Sequence, residues 1–199
     1  MSYKKQNAVD FDLYWQRYNT CTYEAMGILL DSLPENPGNI LEVGCGTGNA
    51  LMMLKERFPT AYLTGVDPSA AMLECAQKKL PDRYLLQGTI EDVPREKYDL
   101  LVSMSMFHYI ENPTEWLSRA RGLLTEKGHL LLLDWNGSAP LLFLRRWWLQ
   151  SQPHIVHVYT RREMEDVLRG WQKVSSLTRS QSFGWWNVQG YLLRATTNQ

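Results

Sequence analysis

The sequence predicts an α/β fold: a doubly wound, mostly parallel seven-stranded sheet with an antiparallel C-terminal hairpin. Three observations predict it. Short apolar runs alternate with helical patterns from Asn39 to Trp135. Those runs are apolar on both faces, as strands covered by helices on each side must be. Beyond them, VSSLTRSQ and VQGYLLRAT flank the turn-like SFGWWN, the pattern of a late hairpin closing the sheet edge.

Taken in order, NILEVG reads as a buried strand, and GNALMMLKERFP as a helix stopped by Pro59. AYLTGVD is a second strand. PSAAMLECAQKKLP is a second helix, with Pro68 near its start and lysines in the last turn, where the helix dipole favours cations. RYLLQGT and YDLLVSMSMF are the third and fourth strands, TEWLSRARGLLTEKG is a helix, and HLLLLDW is the fifth strand. YTRREMEDVLRGW opens with Thr160 followed three residues later by Glu163, the capping-box signature of a helix start. At the N-terminus, Phe11, Tyr14, Trp15 and Tyr18 fall at i, i+3, i+4 and i+7, one apolar face of a helix expected over residues 8–32.

The 199 residues suit one domain spanning 1–199, with a core of useful size and the segments 8–32 and 136–159 as lid elements. Lys+Arg and Asp+Glu both number 21, so the formal charge is zero. That balance lacks the clustered basic excess of a nucleic-acid binder. Cys21, Cys45 and Cys75 form no CxxC pair and lie at no metal-ligand spacing from a histidine. They fit packing thiols in a reducing, cytoplasmic setting, and no metal is expected. The N-terminal stretch is too polar for a signal peptide, and no apolar run reaches the about 18 residues of a membrane span.

The chemistry centres on LEVGCGTGN. Gly44, Gly46 and Gly48 stand at alternate positions after a strand, and Glu42 precedes them by two. Glycine lets a backbone press against a ligand and adopt positive φ. A dinucleotide turn wants G-x-G-x-x-G, but the third glycine position is Asn49; a phosphate loop wants a Lys and a Ser or Thr after the glycines, and neither is there. An adenosine ligand without phosphate fits better. Glu42 can orient a ligand amine, Asp67 at the end of the second strand can accept both ribose hydroxyls, and GTIEDVP offers a slot for a flat base, with Ile90 for packing and Glu91 or Asp92 for polar contact.

LEVGCGTGN, GVDPSAAML, GTIEDVP, YDLLVSMSMFHYI and LLTEKGHLLLLDW, in this order and spacing, resemble the class I S-adenosylmethionine-dependent methyltransferases over Asn39 to Trp135. The resemblance implies a Rossmann-like sheet, S-adenosyl-L-methionine as cofactor and S-adenosyl-L-homocysteine as product. It implies that Gly44, Gly46, Gly48 and Glu42 contact the methionine part, that Asp67 with neighbouring Pro68 holds the ribose, that Thr89 and Ile90 flank the adenine, and that Met104 lies under the sulfonium. Many relatives carry an acid where Thr89 stands; here Glu91, Asp92 or a backbone carbonyl takes over that contact. Related enzymes fold an N-terminal helix over the cofactor, which places Tyr14 and Tyr18 against it and Trp15 at the substrate wall.

Methyl transfer is an in-line displacement, so the protein chiefly aligns the nucleophile and excludes water. A base is needed only for a nucleophile that is still protonated. His108, just past the fourth strand, Asp134 at the end of the fifth, and His154 in the following insertion are the catalytic candidates. Trp15, His108, Trp135, Trp148, His157 and Trp185 are the candidate substrate contacts. Each has a plainer reading as a packing or capping side chain. Within the insertion, LLFLRRWWL suits a lid helix, a dimer surface or a membrane-interface patch. The expected function is methylation of a small molecule, at oxygen ahead of nitrogen, by a monomer or homodimer that does not bind nucleic acid. An amine or lipid-headgroup N-methyltransferase with peripheral membrane contact, and a non-catalytic adenosyl-binding module, are the alternatives.

Overall fold

A computed structural model describes residues 12, 20–80, 84–138, 155–181 and 186–195 of the chain. Helix α1 (Thr20–Leu30) leads into strand β1 (Asn39–Val43), helix α2 (Asn49–Arg57), β2 (Tyr62–Asp67), α3 (Ala70–Lys79) and β3 (Tyr84–Gln87). Then follow β4 (Tyr98–Met104), α4 (Pro113–Leu123), β5 (Leu124–Trp135), α5 (Arg161–Val167), β6 (Trp171–Gln181) and β7 (Trp186–Ala195). Single 3-10 turns, Ile90–Asp92 and Phe107–Tyr109, follow β3 and β4.

The seven strands form one sheet in the order β3-β2-β1-β4-β5-β7-β6. β1 to β5 pair in parallel, while β7 runs antiparallel to both β5 and β6. The expected hairpin is therefore present, and its second strand lies inside the sheet. β1 and β4 are neighbours although two strands separate them in sequence, so the winding reverses between them and opens a crevice at their carboxyl ends.

Local chemistry sets the boundaries. Ser69 caps α3 by accepting the Met72 N–H, Asn112 caps α4 ahead of Pro113, and Thr160 with Glu163 closes the expected capping box on α5. The helix expected over 114–128 runs instead only to Leu123. From Leu124 the chain is already strand, because Leu124 pairs with Tyr98 at the start of β4 and both are buried there.

Alternate residues of β5 feed two cores. Leu131 and Leu133 pack with Leu29 of α1 and Leu51 and Leu54 of α2. Leu130 and Leu132 pack on the other face with Phe107, Trp116 and Leu123. Each fully buried side chain of this size contributes roughly 1.5–3 kcal/mol. Among the described residues no helix is long and apolar enough to cross a membrane. Cys21, Cys45 and Cys75 are buried and form no disulfide with one another.

Candidate active site

The turn after β1 lies at the point where the winding reverses. Its backbone is tied to β2: the N–H groups of Gly44 and Cys45 donate to the Val66 carbonyl at 2.8 and 3.1 Å. Gly44 and Gly46 adopt φ of 75° and 52°, a region that other residues avoid. Their reasons for being glycine differ. A Cβ on Gly44 would lie 2.4 Å from Cγ of Met106, so this position is closed by packing. A Cβ on Gly46 would meet no described atom within 4 Å, so none of the described residues closes this position.

Two acids stand at the strand ends beside the turn. Asp67 accepts the Gly46 N–H with one oxygen and the Ser69 N–H with the other, both at 2.9 Å. Burial still raises its carboxyl above the ordinary value, against the pull of those two donors. Glu42 is 2 % exposed, and its Oε2 has no hydrogen-bond partner among the described residues. Burial first, and the charge of Asp67 second, hold its carboxyl well above the carboxylate range; the Leu51 N–H at the start of α2 offsets only part. An orphaned buried acceptor of this kind costs about 1–3 kcal/mol. A ligand cation would relieve it, which is the fit expected for the ammonium of S-adenosylmethionine.

On the far side of β2, Ile90 is buried while Thr89, Glu91 and Asp92 are exposed. Asp92 is committed to its own turn, accepting the Thr89 N–H at 2.8 Å. Glu91 lies 3.8 Å from the Arg119 guanidinium, which also donates to the carbonyls of Ile90 and Val93. Pro68 is exposed, and its carbonyl takes a bond from Gln87. Met104 ends β4 in a buried position.

Sequence reasoning missed a polar cluster behind the turn. The Asp12 carboxylate accepts from Thr47 Oγ1, from Asn49 Nδ2 at 3.0 Å and from Lys79 Nζ at 2.6 Å, and Lys79 also donates to Asn49 Oδ1 at 2.8 Å. Tyr23 of α1 hydrogen-bonds Asn49; burial, with Glu42 and Asp12 nearby, pushes its hydroxyl pKa up. One residue of the N-terminal segment is thus fastened to the glycine turn and to the end of α3. Asp12 is 67 positions from Lys79, and no local pattern announces such a pair.

The other end of the crevice is built by the exits of β4 and β5. His108 Nδ1 lies 2.7 Å from Asp134 Oδ1, and the His108 N–H donates to Asp134 Oδ2 at 2.8 Å. Both side chains are 2 % exposed. The ring stacks on Trp135 with centroids 4.2 Å apart and planes 11° apart. Met106, two residues before His108, is the side chain that packs on Gly44 and so joins this end to the turn. The His108 carbonyl accepts the N–H groups of Val156 and His157, which fixes the returning chain. His157 itself is half-buried, with its Nε2 3.5 Å from the Glu163 carboxylate.

Gln189, fully buried opposite Asp134 in the β5–β7 register, was also missed. Its Nε2 donates to the carbonyls of Trp135 and Tyr159 at 3.2 and 2.9 Å, and its Oε1 accepts the Tyr191 hydroxyl at 3.1 Å. A glutamine inside a strand carries no distinguishing signal of its own. The structure therefore brings Glu42, the three glycines and Asp67 together, and separately His108, Asp134 and Trp135. Tyr14, Trp15, Tyr18, Trp148, His154 and Trp185 lie outside the described residues.

A reversing parallel sheet with this turn and these two acids at its switch point defines a Rossmann-like α/β protein. Comparison with known proteins narrows the class. The methyltransferase domain family matches residues 15–172, and the chain belongs to it, as a class I S-adenosylmethionine-dependent methyltransferase. It is 37% identical over 105 residues to the malonyl-[acyl-carrier protein] O-methyltransferase of Halalkalibacterium halodurans, covering 49% of this chain and 39% of that protein. It is 30% identical over 123 residues to a trans-aconitate 2-methyltransferase of Escherichia coli, covering 60% and 49%. The chain thus spans less than half the length of these two curated relatives. Among solved structures, the plantazolicin methyltransferase BpumL in complex with a triazolic desmethylPZN analog and SAH superposes with a TM-score of 0.70 at 18% identity, covering 93% of this chain and 89% of that one. An S-adenosylmethionine-dependent methyltransferase from Clostridium acetobutylicum gives 0.71 at 13% identity, covering 94% and 98%. These two likenesses are of fold.

Proposed function

We propose that the protein binds S-adenosylmethionine at the glycine turn and transfers its methyl group to a small molecule, at oxygen ahead of nitrogen. The observation that carries the cofactor half is the buried Oε2 of Glu42, which has no hydrogen-bond partner among the described residues and feels the charge of Asp67, the acceptor of the Gly46 N–H. In this reading Glu42 takes the ammonium of the ligand. Asp67 keeps its two backbone donors and offers its remaining lone pairs to the ribose hydroxyls, and Ile90 packs on the adenine. Thr89 and the turn around it border the base, and Gly44 with Met106 and Met104 forms the wall between turn and acceptor.

S-adenosylmethionine bound there supplies a methyl group made electrophilic by its sulfonium. The protein's part is alignment and exclusion of water, and correct placement alone can contribute roughly 7–11 kcal/mol. Preference for oxygen is supported by the buried His108–Asp134 pair at the acceptor end, and by the printed name of the malonyl-[acyl-carrier protein] O-methyltransferase relative. The same reading places the protein in the cytoplasm, consistent with three cysteines that form no disulfide. The lipid-headgroup alternative rests on the segment around Trp147 and Trp148, which lies outside the described residues.

The test is a thermal-shift titration with S-adenosylmethionine and S-adenosylhomocysteine beside NAD and ATP. A ligand at a hundred times its Kd adds about 2.7 kcal/mol. Stabilisation by the two adenosyl sulfur compounds alone is the expected result. Stabilisation by NAD alone overturns the cofactor assignment, and no stabilisation by any of the four overturns it too and favours a non-catalytic, partner-binding module.

A further inference from the structure

Two sets of hydrogen bonds hold the turn Ile90–Asp92. Within it, the Thr89 N–H donates to Asp92 Oδ2 at 2.8 Å, the Glu91 N–H to Thr89 Oγ1 at 3.3 Å and the Asp92 N–H to the Thr89 carbonyl at 3.1 Å. The second set comes from one side chain on α4. Arg119 Nε donates to the Ile90 carbonyl at 3.3 Å, and its Nη2 to the carbonyls of Val93 at 2.7 Å and Glu91 at 3.5 Å. Of the N–H groups from Thr89 to Asp92, that of Ile90 alone has no hydrogen-bond partner among the described residues.

The turn needs an outside anchor. β3, which leads into it, is a four-residue edge strand with no buried residue, and it pairs only with β2. Backbone with so few buried contacts opens locally at little cost. α4 is the firmer body: its Trp116, Leu117 and Ala120 share a buried core with Ile90. Arg119, three residues past Trp116, has a side chain only 19% exposed. A guanidinium is planar and carries several N–H donors in fixed directions, so one side chain can tie several carbonyls at once. The Glu91 carboxylate, 3.8 Å away and 60% exposed, adds little to this.

We propose that Arg119 is the positioning residue for the base of the cofactor: by tying three carbonyls of this turn to α4, it holds the Ile90 N–H where a purine edge is read. The proposal rests on the methyltransferase reading above and adds to it the residue that sets discrimination between bases. A backbone N–H without an acceptor of its own favours a ring nitrogen that bears a lone pair, as those of adenine do. Hypoxanthine carries hydrogen on the ring nitrogen beside its oxo group and sets donor against donor. Two donors left unpaired in this way cost more than a bond merely not made. Arg119 acts through the turn, so its loss blunts this choice without removing a ligand contact of its own.

The experiment is calorimetric titration of the full chain with S-adenosylhomocysteine and with S-inosylhomocysteine, its hypoxanthine counterpart. Wild type, Arg119→Met and Arg119→Lys are compared at a temperature well below the Tm of each. Wild type is expected to prefer the adenine ligand. In Arg119→Met, affinity for S-adenosylhomocysteine is expected to fall about 10–100-fold, while affinity for the inosyl ligand changes by no more than about threefold. Arg119→Lys keeps the charge without the planar set of donors, and is expected to restore stability but not the preference.

Amide hydrogen exchange of the ligand-free proteins gives the second readout. Peptides covering 88–94 are expected to exchange faster in Arg119→Met than in wild type, with those of β1 and β4 unchanged. Equal losses of affinity for the two ligands mean a merely structural role and overturn the proposal. Unchanged affinity for S-adenosylhomocysteine overturns it too, as does a preference fully restored by Arg119→Lys. Failure of the wild-type protein to bind either ligand overturns the cofactor reading instead, and exchange in the free protein still decides whether Arg119 holds the turn.

Discussion

The negative charge of Asp67 reaches the Glu42 carboxyl across the ends of β1 and β2, and adds to burial in holding that carboxyl well above the usual carboxylate range. Folding therefore favours protonated Glu42. The unfolded side chain loses its proton near its ordinary value of 4.5, so the stability present at low pH is lost as pH rises above that value. Glu42→Gln removes this penalty. The ligand-free variant should melt at higher temperature than wild type above about pH 4.5, with a gap that widens with pH. Its affinity for S-adenosylmethionine should fall by about 1.5–3 kcal/mol, the scale of a charged hydrogen bond. Melting curves across pH and calorimetry check both halves.

Gly44 and Gly46 should separate structure from ligand. Gly44→Ala drives a methyl group to 2.4 Å from Met106 Cγ at a φ of 75°, and should cost about 2–5 kcal/mol of stability in denaturant titration. Gly46→Ala meets no described atom and should cost only about 1–2 kcal/mol, the strain of a positive φ. It should nevertheless lose S-adenosylmethionine binding, because the added methyl fills the space assigned to the ligand. Retained affinity in Gly46→Ala would show that the ligand sits elsewhere.

His129 lies midway along β5, buried and paired in register with Arg194. Burial first, and the Arg194 charge second, lower its pKa below the ordinary 6.5. The unfolded ring takes up its proton at higher pH than the folded one, so stability rises with pH between the two values and is lost as pH falls below 6.5. Replacing His129 by Gln should flatten this part of the curve. Equal slopes for wild type and variant between pH 5 and 7 would contradict the assignment.

Gln189→Leu removes a donor from the Trp135 and Tyr159 carbonyls and the acceptor of the Tyr191 hydroxyl. A loss of about 1–3 kcal/mol is expected, or roughly 2–4 °C in Tm for each kcal/mol at this chain length. The glycine turn is remote from this network, so affinity for S-adenosylhomocysteine should be unchanged. A fall in affinity matching the fall in Tm would instead tie the two ends of the crevice together.

What could be read from the sequence was what neighbours in sequence determine. The glycines, Glu42 and Asp67 belong to two strand ends whose patterns are local, and Thr160 with Glu163 forms a box within four residues. Leu124 to Gly128 continued a helical pattern, and only pairing with Tyr98 turns it into strand. The His108–Asp134 contact spans 26 positions and the Asp12–Lys79 contact 67; each side chain is ordinary until the sheet brings its partner. Gln87 and Gln189 are both strand glutamines, yet one is exposed and the other fully buried, the first on an edge strand and the second on an interior one.

The placement of β7 between β5 and β6 also dictates a schedule. During synthesis the chain emerges as a run of parallel βα units that can pack as they leave the ribosome, but β5 must wait for residues 186–195 before its second edge is paired. Helix α1, near the start, rests on β6 and β7, near the end. The nascent protein therefore carries an apolar flank and an open strand edge until translation of this region is nearly complete, the kind of surface on which chaperones act.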